Sequence, residues 1–217
     1  MSLNSIFSKV KQFKYLWFFW LFVMILALFI LVLMGSYELS VKVNNQSSLI
    51  FDYFFKYITF IGDGALLYIL SFVLIIFSRK WALLSIISLI VTTIFVQFLK
   101  RLLFDNFYRP SRYFKDLIDD GSWHLVDGVE LYDRFSFPSG HTALSFCFII
   151  IICYFLKSNF WSLLLILLAF LVGFSRIYLT QHFLIDVWFG SLIGSLISLI
   201  VITYFEKFIS KLSFIND

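Results

Sequence analysis

Apolar residues in this chain fall in long unbroken runs rather than in alternation. Tyr15 to Met34 is the first, twenty residues without a polar break. A hydrocarbon core about 30 Å thick is crossed by roughly 20 residues of helix, so residues 15–35 are read as a first membrane span. Residues 1–14 are polar, with Lys9, Lys11 and Lys14 and no acid. The run outlasts a signal-peptide core and no small-residue cleavage site follows, which predicts an uncleaved span. Gly35 to Ser48 is read as a polar loop. Ala65 to Phe77 is apolar but short, so a second span must borrow residues from Phe60 and cover 60–78, ended by Arg79 and Lys80. The third covers 81–99, the fourth 140–156, the fifth 160–176 and the sixth 184–205. Residues 100–138 are the only long polar stretch and hold both prolines. Within the apolar segment 49–61 and just after it, Asp52, Lys56, Thr59 and Asp63 recur at helical spacing. That stripe predicts an amphipathic helix, lying in the membrane interface or packed against the bundle. The expected fold is all-α: a polytopic membrane protein of six transmembrane helices plus the amphipathic helix, one membrane-embedded domain over 1–217.

Composition narrows the class further. Apolar types make up 61% of the 217 residues and charged types 14%, where a soluble domain is nearer half and about a quarter. A soluble monomer and a disordered chain are both excluded. The net charge of +4 is spread along the chain and does not argue for nucleic acid. Cys147 and Cys153 lie in one apolar run, six residues apart, which does not suit an intrahelical disulfide. Gly190 and Gly194 form a G-x-x-x-G in the sixth span, a device for close helix packing that serves a bundle or a dimer equally. The oligomeric state is open. Basic residues divide almost evenly between the two sides of the membrane. The three lysines before the first span favour a cytoplasmic N-terminus, with Arg79, Lys80, Lys157, Lys207 and Lys211 on the same side and residues 100–138 outside.

Ionisable residues at the ends of membrane helices are functional candidates. Lys100 and Arg109-Pro110 follow the third span, Pro138-Ser139-Gly140-His141 starts the fourth, and Arg176, His182 and Asp186 join the fifth to the sixth. Because successive spans alternate direction, all of these share one membrane face. His182 and Asp186 are four residues apart, so a carboxylate bound to one imidazole nitrogen would fix the tautomer and leave the other free to attack. Lys100, Arg109 and Arg176 suit a phosphoryl group, which needs charge stabilisation more than covalent help. Ser139-Gly140 before a helix offers a phosphate seat. His141 is the remaining group to protonate a leaving oxygen and later to activate water. Taken singly, each residue has a bland reading as anchor, turn or loop; it is the set on one face that carries the functional one. His124 is read as a loop residue at the rim, and Arg112, Phe114, Lys115 and Trp123 as shaping headgroup choice.

These residues resemble the three-part signature of the type 2 phosphatidic acid phosphatase (PAP2) superfamily. Its P-S-G-H part stands as Pro138 to His141, and its S-R-x5-H-x3-D part as Ser175, Arg176, His182 and Asp186. Its first part, usually K-x6-R-P, is looser: Arg109-Pro110 follows Lys100 after eight residues and Arg101 after seven. Lys100 is the favoured lysine and Arg101 the alternative. The resemblance covers roughly residues 60–205. It implies a lipid phosphate or diphosphate phosphatase in the inner (plasma) membrane, with its site on the extracytoplasmic (periplasmic) face. His182 would form a phosphohistidine, Asp186 would orient it, and His141 would act as acid and then base. Lys100, Arg109, Ser139, Gly140 and Arg176 would hold the phosphate, with no metal and no cofactor. Substrates in such a family include undecaprenyl diphosphate, lipid A, phosphatidylglycerol phosphate and phosphatidic acid. Two other readings stay open: a metal-dependent membrane hydrolase using His141, His182 and Asp186, and a non-catalytic transporter or structural protein.

Overall fold

Backbone buried in lipid must satisfy its own hydrogen bonds, which leaves helix as the available form for such runs. The computed structural model of the protein describes residues 3–209 and is helical throughout, with no strand among the described residues. Lys211 lies outside the described residues. Helix α1 (Leu3–Gln12) leads into α2 (Lys14–Asn44). Here the expected loop over Gly35 to Ser48 is wrong. The backbone leaves helical geometry at Gly35, where φ is +72°, and then continues as helix to Asn44. The extension has apolar partners: Leu39 and Val43 pack on the cluster of Ile177, Leu184 and Val187.

Helix α3 (Leu49–Ile58) is capped by the Ser48 hydroxyl and runs through a tight turn at Thr59–Gly62 into α4 (Gly64–Val73). The Asp63 carboxylate starts α4 by accepting from the amides of Ala65 at 2.9 Å and Leu66 at 3.3 Å. The two halves meet at a bend of 57° and together are long and apolar enough to cross a membrane. The amphipathic helix and the second span are thus one bent unit. The helix also lies opposite to an interfacial one. Its polar stripe faces the protein, with Asp52 buried, while Leu49 and Ile50 are 75% and 80% exposed.

Helix α5 (Arg79–Phe98) ends in a π turn over Leu99–Leu103. The long connection contains two short helices, α6 (Pro110–Tyr113) and α7 (Lys115–Asp119). Then come α8 (Gly140–Leu156), α9 (Asn159–Tyr178) and α10 (Leu184–Ile209). Helices α2, α5 with its π turn, α9 and α10 are each long and apolar enough to cross a membrane, and the bent pair makes a fifth candidate. Helix α8 has 17 residues, about 25 Å at 1.5 Å per residue. It is the central rod, packed against α10, α9 and α5, and Phe146, Ile150 and Ile151 on it are fully buried. Cys147 and Cys153 are free thiols in the same interior. At the end away from the polar cluster, Glu206 pairs with Lys9 and, at 2.8 Å, with Lys80.

The G-x-x-x-G pair packs inside this bundle. A Cβ on Gly190 would lie 2.6 Å from the Ser139 carbonyl oxygen, and one on Gly194 would lie 2.1 Å from that of Ala143. Backbone cannot yield as a flexible side chain can. Gly194→Ala is therefore expected to lose about 1–3 kcal/mol of stability, read as a lower melting temperature of the protein in detergent. A Gly194→Ala protein that melts with the wild type would place the motif outside the packed interior.

Candidate active site

The close approach of α8 and α10 brings their first turns together. The Ser139 amide donates to the Asp186 carbonyl at 3.0 Å, and the Thr142 hydroxyl donates to the Ser139 hydroxyl at 2.9 Å. One turn before α10, the His182 amide donates back to the Arg176 carbonyl at 3.0 Å, which folds the α9–α10 link over the site. His182 Nδ1 then lies 3.3 Å from Asp186 Oδ2, with both side chains buried. The same carboxylate oxygen accepts from the Phe183 amide at 3.0 Å and from the Ser136 hydroxyl. A carboxylate so engaged holds one face of the imidazole and leaves Nε2 unassigned.

Around this pair stand the three cations. Lys100 is buried, and its ammonium donates to the Phe135 carbonyl at 2.7 Å. Arg101, next to it, is exposed and bonds to Gln97 at 3.2 Å on its own helix. The π turn, one residue wider than an α turn, carries Lys100 inward and Arg101 outward. Arg109 donates from Nε to the Arg134 carbonyl at 3.0 Å and from Nη1 to Gln181 Oε1 at 3.0 Å. Arg176 donates from Nη1 to Thr59 Oγ1 at 2.7 Å and from Nη2 to Gln181 Oε1 at 3.4 Å. Its Nε is buried with no protein partner. A buried charged donor left open is costly unless something fills it, and in a cationic setting that something is an anion.

The sequence-predicted residues thus come together at one end of the bundle. His141, at the start of α8, lines a cavity of ≈ 390 Å³ with Arg176, Gln181, Tyr132, Thr59 and Lys56. Among the described residues no group of three or more His, Cys, Asp or Glu is placed to hold a metal ion.

Electrostatics follow from the burial. Burial first, and then the charges of Arg109, Lys100, Arg176 and His141, hold the His182 imidazole well below its ordinary 6.5. Burial likewise draws the Arg109 guanidinium down, while Asp186 pulls it up. His182 is therefore neutral near pH 7, the form in which an imidazole is a nucleophile.

Sequence reasoning missed three groups. Gln181 bridges the two arginines through one oxygen and sends its amide to the Glu130 carbonyl. Ser136 braces Asp186, and Thr59 receives Arg176. Gln181 stands in the unspecified gap of the third motif, and Ser136 two residues before the second, so position beside a motif was the only signal. The connection lines the cavity through Gly128, Val129, Glu130 and Tyr132 rather than through the four residues singled out in the sequence. Phe114 and Trp123 stack at 3.9 Å and are buried beneath it, and Arg112 and Lys115 are exposed away from the cavity. His124 also leaves the rim: its Nε2 lies 3.0 Å from both oxygens of Asp52.

Comparison with known proteins agrees with this geometry. A family model described as PAP2 superfamily matches residues 81–210, more than half of the chain. The Bacitracin transport permease protein BcrC of Bacillus licheniformis is 43% identical over 82 residues, 38% of this chain and 37% of that protein. Phosphatidylglycerophosphatase B of Bacillus subtilis (strain 168) is 39% identical over 82 residues, 34% of this chain and 40% of that one. The aligned stretch thus spans well under half the length of either curated relative. Among solved structures, LpxE of Aquifex aeolicus superposes with a TM-score of 0.67 at 30% identity, covering 77% of this chain and 94% of that one. The first transmembrane PAP2 type phosphatidylglycerolphosphate phosphatase from Bacillus subtilis gives 0.66 at 26% identity, covering 87% and 94%. By family model, fold and site residues together, this multi-pass membrane protein belongs to the PAP2 superfamily.

Proposed function

We propose that the protein is a lipid phosphate or diphosphate phosphatase that works through a phosphohistidine. The observation that carries this reading is the buried His182–Asp186 pair set among Lys100, Arg109 and Arg176, with Arg176 Nε unpartnered. His182 Nε2 attacks phosphorus while the bond from phosphorus to the leaving oxygen breaks. The leaving oxygen takes the electron pair and a proton from His141. Asp186 stabilises the charge that forms on the imidazole, as in a triad. Water then gives a proton to His141, its oxygen attacks the phosphohistidine, and the P–N bond breaks to release inorganic phosphate. Lys100, Arg109, Arg176 and the Ser139-Gly140 start of α8 hold the equatorial oxygens. We place the chain in the inner membrane with six crossings, counting the short α8 as one, and with this end of the bundle on the extracytoplasmic face. There the phosphate of a lipid headgroup meets the site while its tails stay in the bilayer.

Phosphate release by the purified protein in detergent and EDTA should be retained and should vanish in His182→Ala. Acid quench of the wild type with labelled lipid phosphate should trap label on the protein, and His182→Ala should trap none. Activity lost to chelator and restored by a divalent metal would overturn the mechanism.

Gln181→Leu removes the acceptor shared by Arg109 and Arg176 and leaves their charges facing each other. It should raise KM for lipid phosphate about tenfold with a smaller change in kcat. Gln181→Glu, which keeps the acceptor, should recover part of the loss.

The depressed imidazole also sets a stability trend. Unfolded His182 takes a proton near pH 6.5, and the folded residue resists one until well below that. Its contribution to stability is present above about pH 6.5 and falls by ~1.4 kcal/mol for each pH unit below that value, until the folded group itself titrates. Melting temperatures at about pH 7.5 and about pH 5 should differ more for the wild type than for His182→Gln.

A further inference from the structure

The polar stripe of α3 is not used up by the chemistry above. Its orientation is pinned at Asp52, whose carboxylate accepts from the Tyr178 hydroxyl at 2.6 Å and meets His124 Nε2 at 3.0 Å. With Asp52 turned inward, Lys56 and Thr59 point inward too, since residues three and four apart share a helix face. Thr59 receives Arg176, the guanidinium with the open donor. Lys56, one turn away, lines the same cavity as Arg176 and His141. It is half-buried, and its ammonium donates to the Asp127 carbonyl. The loop leaves room for it at Gly128, where a Cβ would lie 2.8 Å from Nζ and where φ is +72°. An ammonium has three donors, so two remain for a ligand in the cavity. Two carboxylates also line this cavity. Asp63 caps α4, and Glu130 accepts from the Tyr132 hydroxyl at 2.6 Å.

We propose that Lys56 seats a second phosphoryl group beside the one that reacts, so that the preferred substrate class is a lipid diphosphate. This rests on the phosphatase reading above. The reacting terminal phosphate lies on Arg109, Arg176 and His182. The adjoining phosphate, one turn of α3 away, lies against Lys56 and leaves as the lipid monophosphate. When the bridging P–O bond breaks, the electron pair goes to an oxygen of that departing phosphate, which is stable as an anion and leaves without a proton from His141. Lys56 stabilises the added charge where it appears, which is a transition-state effect. A lipid monophosphate departs as an alcohol and places no charge there.

The test compares farnesyl diphosphate with farnesyl phosphate, two probes with one tail. Lys56→Met should lower kcat/KM for the diphosphate about tenfold, the range of a charge-assisted hydrogen bond, and change the monophosphate by less than about twofold. Lys56→Arg should restore most of the loss. In the unmodified protein, inorganic diphosphate should inhibit more tightly than inorganic phosphate, again about tenfold, a measurement that needs no variant to fold. Equal losses on both probes would make Lys56 a strap for the loop at Asp127 and overturn the proposal. So would no loss on either, or equal inhibition by the two anions, while the sensitivity of both activities to His182→Ala would leave the phosphatase reading standing. Failure of the wild type to hydrolyse either probe, or any lipid phosphate, would overturn that reading and this proposal with it.

Discussion

The contact on which the rest depends is backbone against backbone, where α10 crosses α8. Gly190 and Gly194 have no side chain because Ser139 and Ala143 carbonyls occupy that space. The crossing sets where each helix begins relative to the other, and the Ser139 amide bonds to the Asp186 carbonyl across the gap. His141 belongs to the first turn of one helix and Asp186 to the first turn of the other. Their separation is therefore a property of the rods, which move little, rather than of the loops that join them. Apolar helices gain no hydrophobic drive toward each other in lipid. Close packing of this kind is how a bundle can hold catalytic groups to within the tolerance that chemistry needs.

Three cations at one end of an apolar bundle would repel each other if the protein gave them nothing. It gives them neutral oxygens: Phe135 and Arg134 carbonyls, the Thr59 hydroxyl and one side-chain oxygen of Gln181. These satisfy hydrogen-bonding capacity without cancelling charge. The carboxylate at the centre of the set, Asp186, is turned to His182. The site therefore keeps its positive field for an incoming anion while no ligand-independent ion pair has to be broken first. That is the preorganisation electrostatic catalysis requires. It also explains why Arg176 Nε stands open in an otherwise satisfied shell.

Much of this was legible in the sequence, for identifiable reasons. The spans show because lipid demands unbroken apolar runs, and the second and third motif parts show through their resemblance to the PAP2 signature. What stayed hidden depended on partners distant in the chain. Hydropathy cannot say that α2 continues past Gly35, since that depends on Leu39 and Val43 meeting α9 and α10. Lys100 is buried and Arg101 exposed at a π turn, which has no one-dimensional signature. Gln181 and Ser136 are ordinary polar residues until the fold places them between charged ones. Trp123, which the sequence offers as a headgroup contact, is buried against Phe114, a partner that no pattern in the chain marks.

The amphipathic helix α3 shows the same lesson in reverse. In water an apolar stripe seeks the protein and a polar one the solvent. Where lipid is the solvent the assignment inverts, and a polar stripe marks the face that meets protein. Asp52, Lys56 and Thr59 all find partners inward, on Tyr178, the loop at Asp127 and Arg176. Tyr178 is two residues beyond Arg176 in the chain. One helix face thus ties the end of α9, its arginine and the connection at Asp127 into a single unit around the cavity. The periodicity of the stripe was a reliable signal of helix; its meaning was decided by which solvent lay outside.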